Sequence, residues 1–131
     1  MPEPTPELTP EPTSATMRDA APAAAQRHCF LLRVRPDRVD EYVADHENVW
    51  PEMQEALRRS GWGDYSLFLD RSSGLVVGVV TSDDFDDAKR RMNAEDINAR
   101  WQQSMAGYFL PVDDSVAPGT MVQLEQYFHL A

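Results

Sequence analysis

Asp64-Tyr65-Ser66-Leu67-Phe68-Leu69-Asp70-Arg71-Ser72-Ser73-Gly74-Leu75-Val76-Val77-Gly78-Val79-Val80-Thr81 lies just past the middle of the chain and decides how the rest is arranged. Tyr65, Leu67 and Leu69 share one face at the period of two that marks a strand. Asp70-Arg71-Ser72-Ser73-Gly74 is turn chemistry, and Leu75 to Thr81 is a second apolar strand, so the stretch predicts a hairpin. Helical periodicity on both sides of it makes this hairpin the junction between two strand–helix halves.

On the N-terminal side, Cys29 to Val34 reads as a strand with Phe30, Leu32 and Val34 on one face. Pro36-Asp37 ends it and opens a helix carrying Val39, Tyr42, Val43 and His46, with Asp37 where the helix dipole favours a carboxylate. Pro51 has no backbone N–H to donate, so the helix is expected to break over Asn48 to Trp50 and restart at Pro51. The restart carries Met53, Ala56 and Leu57 and stops at Ser60-Gly61. On the C-terminal side, Phe85, Ala88, Met92, then Ile97, Trp101 and Met105 form an apolar stripe, read as two helices broken near Asn93 to Glu95. Leu110 to Gly119 reads as loop. Met121 to Leu130 reads as the last strand, with Gln123, Glu125, Tyr127 and His129 alternating with Val122, Leu124, Gln126 and Phe128.

The resulting order, βαββαβ, predicts an α+β ferredoxin-like sandwich: one antiparallel sheet with helices on one side. Both sheet faces are apolar, since Phe30, Leu32 and Val34 alternate with Cys29 and Leu31, and Leu75, Val77 and Val79 alternate with Val76 and Val80. One helix layer covers only one face, and burial of apolar surface is worth about 25 cal/mol per Å². A homodimer closing sheet on sheet, in the manner of a dimeric α+β barrel, is therefore expected.

Residues 1–26 are a different material. Their proline-spaced acidic start and alanine-rich continuation predict a disordered tail, leaving 27–131 as the folded domain. The 131-residue chain carries a net charge of −10; four acids and one arginine in the tail account for three of those charges, so seven remain on the domain. Such a balance argues against nucleic acid and against anionic membrane surfaces. Cys29 is the sole cysteine, which rules out an internal disulfide and fits a small buried residue better than a nucleophile. No apolar run approaches the roughly 20 residues needed to span a bilayer, and no basic segment followed by an apolar one opens the chain. Cytoplasm is the expected compartment.

Tyr42, His46 and Trp50 are four residues apart, so a helix projects a phenol, an imidazole and an indole from one side. Histidine's ordinary pKa of about 6.5 lets it give and take protons near neutrality, and His46 is the candidate acid/base. A lone helix histidine is more often a plain core or surface residue; the aromatic company, with Tyr65 on the next strand, favours a site. Trp50, beside Pro51, is read as packing the helix break. Trp101 continues an apolar stripe and reads either as core or as a platform for the C–H face of a sugar. His28, His46 and His129 have no metal-ligand spacing, and no phosphate-binding glycine loop or GxSxG elbow occurs, so no metal or cofactor is expected. The acids Asp83, Asp84, Asp86 and Asp87 read as a solvated helix start.

From Arg27 to Leu130 the chain resembles the L-rhamnose mutarotases. The resemblance rests on Glu41-Tyr42-x-x-x-His46-x-x-x-Trp50-Pro51-Glu52, on Gly63-Asp64-Tyr65-Ser66-Leu67-x-Leu69-Asp70, on Arg100-Trp101 and on Phe128-His129-Leu130. It implies a dimeric ferredoxin-like fold and an isomerase that exchanges sugar anomers without a cofactor. By the same resemblance His46 is the proton donor, and Tyr42, Tyr65 and Trp101 bind the sugar. Gln102 stands where a second tryptophan is expected, and Pro111 to Val116 only partly keeps the family's Asn-Pro-Asp-Asn-Ser-Pro pattern. The amide at Gln102 makes a smaller, more polar wall, leaving the sugar open between L-rhamnose and a related 6-deoxyhexose or hexose. For the second acid/base, Asp64, Glu52, His129 and water all stay open. A non-catalytic sugar-binding protein and a cofactor-free monooxygenase are the alternatives on the same fold.

Overall fold

The structure, a computed structural model, describes residues 26–131. The expected tail lies outside the described residues except for Gln26, which begins the first strand. Strand β1 (Gln26–Val34) is the centre of the sheet because it is apolar on both faces. A short 3-10 turn, Pro36–Arg38, leads into α1 (Val39–Glu47), and α2 (Pro51–Arg59) follows after the break expected from Pro51. Pro51 occupies the first turn of α2, where its missing N–H costs nothing. The helix stops at Ser60, followed by Gly61 with a φ of 98°.

The hairpin comes next, as β2 (Gly63–Asp70) and β3 (Leu75–Ser82). Gly74, with a φ of 79°, closes the turn and lies against the Val34 carbonyl, leaving no room for a Cβ. Helices α3 (Phe85–Asn93) and α4 (Asp96–Met105) are separated at Ala94-Glu95, as the stripe required. Asp84 caps α3, its carboxylate accepting from the Asp87 N–H at 3.1 Å.

After α4 the structure departs from expectation. Leu110, expected to open a loop, instead forms β4 (Phe109–Leu110) with Phe109 against Arg33 and Val34. The expected ten-residue closing strand shrinks to β5 (Val122–Leu124), paired with Leu31, Phe30 and Cys29. Beyond Leu124 the same register would bring the exposed, polar Glu125 and Gln126 against His28 and Arg27, a pairing that buries little apolar surface, and the ladder ends there. Tyr127, Phe128 and Leu130 are 94%, 72% and 81% exposed.

Strand order is β2-β3-β1-β4, with β5 also on β1, and every pairing is antiparallel. This is the ferredoxin-like arrangement the sequence predicted. Phe30, Val34, Val76 and Val80 bury completely or almost so on the helix side, against Met53, Ala56, Phe85, Ala88 and Met92. At the centre the Phe30 ring lies flat across Gly78, its pairing partner, and meets Trp62, Tyr65 and Phe85 at centroid distances of 6.4, 6.1 and 6.3 Å. Trp62 also donates from Nε1 to the Ala88 carbonyl at 3.1 Å, fastening α3 to the sheet.

A Cβ added at Gly78 would overlap three ring atoms of Phe30 while its strand φ needs no glycine. Gly78→Ala is expected to destabilise the fold by about 1–3 kcal/mol, the range for overpacking a core. Urea unfolding of the variant against the parent checks this, and equal midpoints would show that Phe30 can move aside freely.

Candidate active site

Helix α1 projects Tyr42 and His46 one turn apart into a cleft of about 1260 Å³ between the helices and the sheet. Tyr42 is buried to 5% exposure and His46 is half-buried. Tyr42 is braced on three sides: its ring lies 4.4 Å from the His46 ring and meets Tyr108 and Phe109 edge-on at 6.1 and 6.0 Å. Tyr108 is itself fixed, its hydroxyl donating to Asp45 Oδ2 at 2.6 Å and its ring facing the Arg38 guanidinium at 4.8 Å.

The tautomer of His46 follows from its partner. Nδ1 lies 2.9 Å from the Tyr42 carbonyl oxygen, which can only accept, so Nδ1 carries a hydrogen and donates it. Proton exchange is therefore left to Nε2. Trp101, 7% exposed, meets the His46 ring edge-on at 5.4 Å and Trp50 at 5.1 Å. Trp101 lines the cleft while Trp50 stands behind it, off the cleft wall. Because most of Trp101 is covered, it acts as a wall and a support for the imidazole more than as an open stacking platform.

The sheet supplies Tyr65 through a bulge. Gly63 pairs with Thr81 and Ser66 with Val79, so Asp64 and Tyr65 together stand opposite Val80 alone. Asp64 takes a φ of 47°, a conformation aspartate tolerates better than most side chains, and both residues line the cleft. Burial pushes the Tyr42 phenol up to about 12 and raises that of Tyr65 as well, the neighbouring Tyr42 adding to the second. Both therefore remain neutral hydroxyls near pH 7.

The structure thus brings His46, Tyr42, Tyr65, Trp101 and Gln102 to one cleft. Of the side chains left open as second acid/base, Asp64 is on its wall; Glu52 and His129 are exposed and are not. Glu47, Asn98 and Phe109 also line the cleft and were not singled out from sequence. Asn98 was legible in principle, since it lies one turn before Trp101 and Gln102 on the same stripe. Phe109 was not, because its place depends on a two-residue strand. Cys29 faces the other side of the sheet, and among the described residues no three metal-ligating side chains gather.

The family model for L-rhamnose mutarotase matches residues 27–130. The chain belongs to the L-rhamnose mutarotase family. An L-rhamnose mutarotase of Bacillus subtilis is 30% identical over 105 residues, covering 80% of this chain and 98% of that protein. The crystal structure of an L-rhamnose mutarotase from Formosa agariphila superposes with a TM-score of 0.65 at 22% identity, covering 81% of this chain and 99% of that one. Tetracenomycin F2 cyclase from Streptomyces glaucescens, a polyketide cyclase, shares the fold at a TM-score of 0.61 and 17% identity, covering 82% and 98%. The mutarotase family's fold thus also carries unrelated chemistry, and the site must argue the activity.

Raised phenol pKa values have a consequence for stability. The unfolded chain releases the Tyr42 proton near pH 10, whereas the folded one holds it to about 12, so the contribution is complete below pH 10 and is lost as pH rises toward 12. Tyr42→Phe is expected to lose up to about 3 kcal/mol less than the parent across that interval. Denaturant melts at pH 8 and pH 11.5 measure the difference; identical alkaline losses in both proteins would contradict a buried, neutral Tyr42.

Proposed function

We propose that this protein interconverts the α and β anomers of L-rhamnose or a closely related hexose by acid/base ring opening at His46. The observation that carries the reading is the fixed imidazole: its Nδ1–H is held by the Tyr42 carbonyl, so Nε2 is the atom that trades a proton with a ligand in the cleft.

The chemistry follows from that atom. Protonated Nε2 delivers its hydrogen to the ring oxygen as the ring oxygen–C1 bond breaks. The anomeric hydroxyl loses its proton to a base, and C1 becomes an aldehyde. Rotation about C1–C2 presents the other carbonyl face. The former ring hydroxyl then adds to it, returning its proton to Nε2 while the carbonyl oxygen takes a proton back from the base. Each proton given on opening is recovered on closure, so a group that titrates near neutrality serves both steps. For the anomeric proton the candidate acceptors are Asp64 and Glu47, the carboxylates on the cleft wall, and water. Tyr42 and Tyr65, neutral, are hydrogen-bonding hydroxyls for the sugar, and Trp101 and Gln102 form the wall beside them.

His46→Ala is expected to slow anomer exchange by about 10²–10⁴-fold, the usual contribution of a positioned acid/base. Saturation-transfer NMR between the α and β forms of L-rhamnose measures it, with circular dichroism reporting the fold. Parental exchange rates in a folded variant would remove His46 from the mechanism.

The working unit we propose is a homodimer joined through the sheet face opposite the helices. Two apolar rows cross it: Phe68, Val77, Leu31 and Val122, then Val79, Cys29 and Leu124 beside Ser66. Phe68 is 60% and Leu124 43% exposed, and Tyr127, Phe128 and Leu130 add apolar surface at the same edge. A second copy offers the same rows, so the patch is self-complementary in chemistry. Sedimentation over a concentration series is expected to give a dimer, with Phe68→Asp shifting it to monomer. A parent that stays monomeric throughout would end the proposal.

A further inference from the structure

Helix α4 turns Asn98, Trp101, Gln102 and Met105 toward the cleft, the spacing of one helix face. Trp101 and Met105 are what such a stripe ordinarily carries. Asn98 is not: it is 8% exposed, one of three buried polar residues among those described. A buried amide is costly unless hydrogen-bonded. Asn98 Oδ1 accepts from Gln102 Nε2 at 3.2 Å, and the Asn98 Nδ2 group, with no acceptor among the described residues, is not wholly enclosed and is left open to solvent in the cleft. Whichever way the two amides are turned, one contact between them leaves three N–H hydrogens and one carbonyl oxygen for a ligand.

Their position relates these groups to the reaction. Asn98 and Gln102 flank Trp101, whose ring touches His46. His46 must face the ring oxygen of the sugar, and that oxygen is bonded only to C1 and C5. A wall adjoining the proton donor therefore meets either the anomeric substituent or the group on C5. The anomeric hydroxyl changes position with every turnover, so the fixed amide pair is better matched to the C5 substituent. A hydroxymethyl group there is both donor and acceptor; a methyl group leaves the amides unpaired when the sugar displaces water from them.

Resting on the mutarotase reading above, we infer that Asn98 and Gln102 together form a specificity subsite for the C6 hydroxyl, and that the preferred substrates are fully hydroxylated hexoses rather than 6-deoxyhexoses. L-mannose and L-rhamnose differ only in that hydroxyl and make the natural probes. Saturation-transfer NMR on the full chain should give kcat/KM for L-mannose at least about tenfold above that for L-rhamnose. Gln102→Met keeps side-chain length at an exposed position and removes the amide; it should bring the ratio to one or below, as should Asn98→Ala. The ratio is taken within one protein preparation, so partial loss of folded protein in a variant cancels. A parental ratio of one or less, or a ratio that Gln102→Met leaves in place, overturns the subsite while the mutarotase reading stands. Failure to accelerate either sugar overturns both.

Discussion

Phe30 lying across Gly78 is the constraint on which the other features depend. Only a residue without a side chain lets a strand accept an aromatic ring flat on its backbone. The ring then becomes the floor on which Trp62, Tyr65 and Phe85 gather, and Trp62 and Phe85 meet at 5.0 Å. Through Phe85 the floor positions α3, and through Tyr65 it sets the sheet side of the cleft. The bulge at Asp64 and Tyr65 then has a definite surface to turn over. A side chain at Gly78 would displace Phe30, against which Tyr65 packs on the sheet side of the cleft.

The fold was legible because its signals are local. Alternation in β2 and β3, the proline at Pro51 and the interrupted stripe before Asp96 each fix an element without reference to the others, and all agree with the structure. The closing strand was not legible, because alternation continues through His129 whether or not a neighbour exists to pair with it. Pairing depends on what the neighbouring strand offers, and past Leu124 the residues that register would bring together, Glu125 and Gln126 with His28 and Arg27, bury little apolar surface. The same limit hid β4, two residues whose place comes from Arg33 and Val34 rather than from their own sequence.

The cleft was legible in its aromatic residues and less so in its geometry. A helix spacing of four put Tyr42 beside His46, but could not say which imidazole nitrogen the protein keeps for itself. That depends on the carbonyl of Tyr42, an atom every residue possesses and no residue name announces. The backbone thus chooses the tautomer, while the Tyr42 side chain supplies a neutral hydroxyl from the same residue. Trp50 shows the reverse case: its spacing put it on the stripe, and its position at the start of α2 takes it off the wall and behind Trp101.

Asn98 and Gln102 sharpen the contrast between what a family shares and what one member does. A wall of two aromatic rings holds a sugar through shape and C–H contacts, and it is largely indifferent to one hydroxyl more or less. A buried amide is not indifferent, since the Asn98 donor left facing a methyl group loses its hydrogen bond to water without gaining another. Trp101 beside them meets the His46 ring at 5.4 Å, so its support of the imidazole does not depend on what the two amides face. On the proposed reading, chemistry and selectivity are carried on different elements, α1 for the one and α4 for the other. Selectivity can change by substitution one turn apart on α4 without disturbing the hydrogen bond that prepares the imidazole.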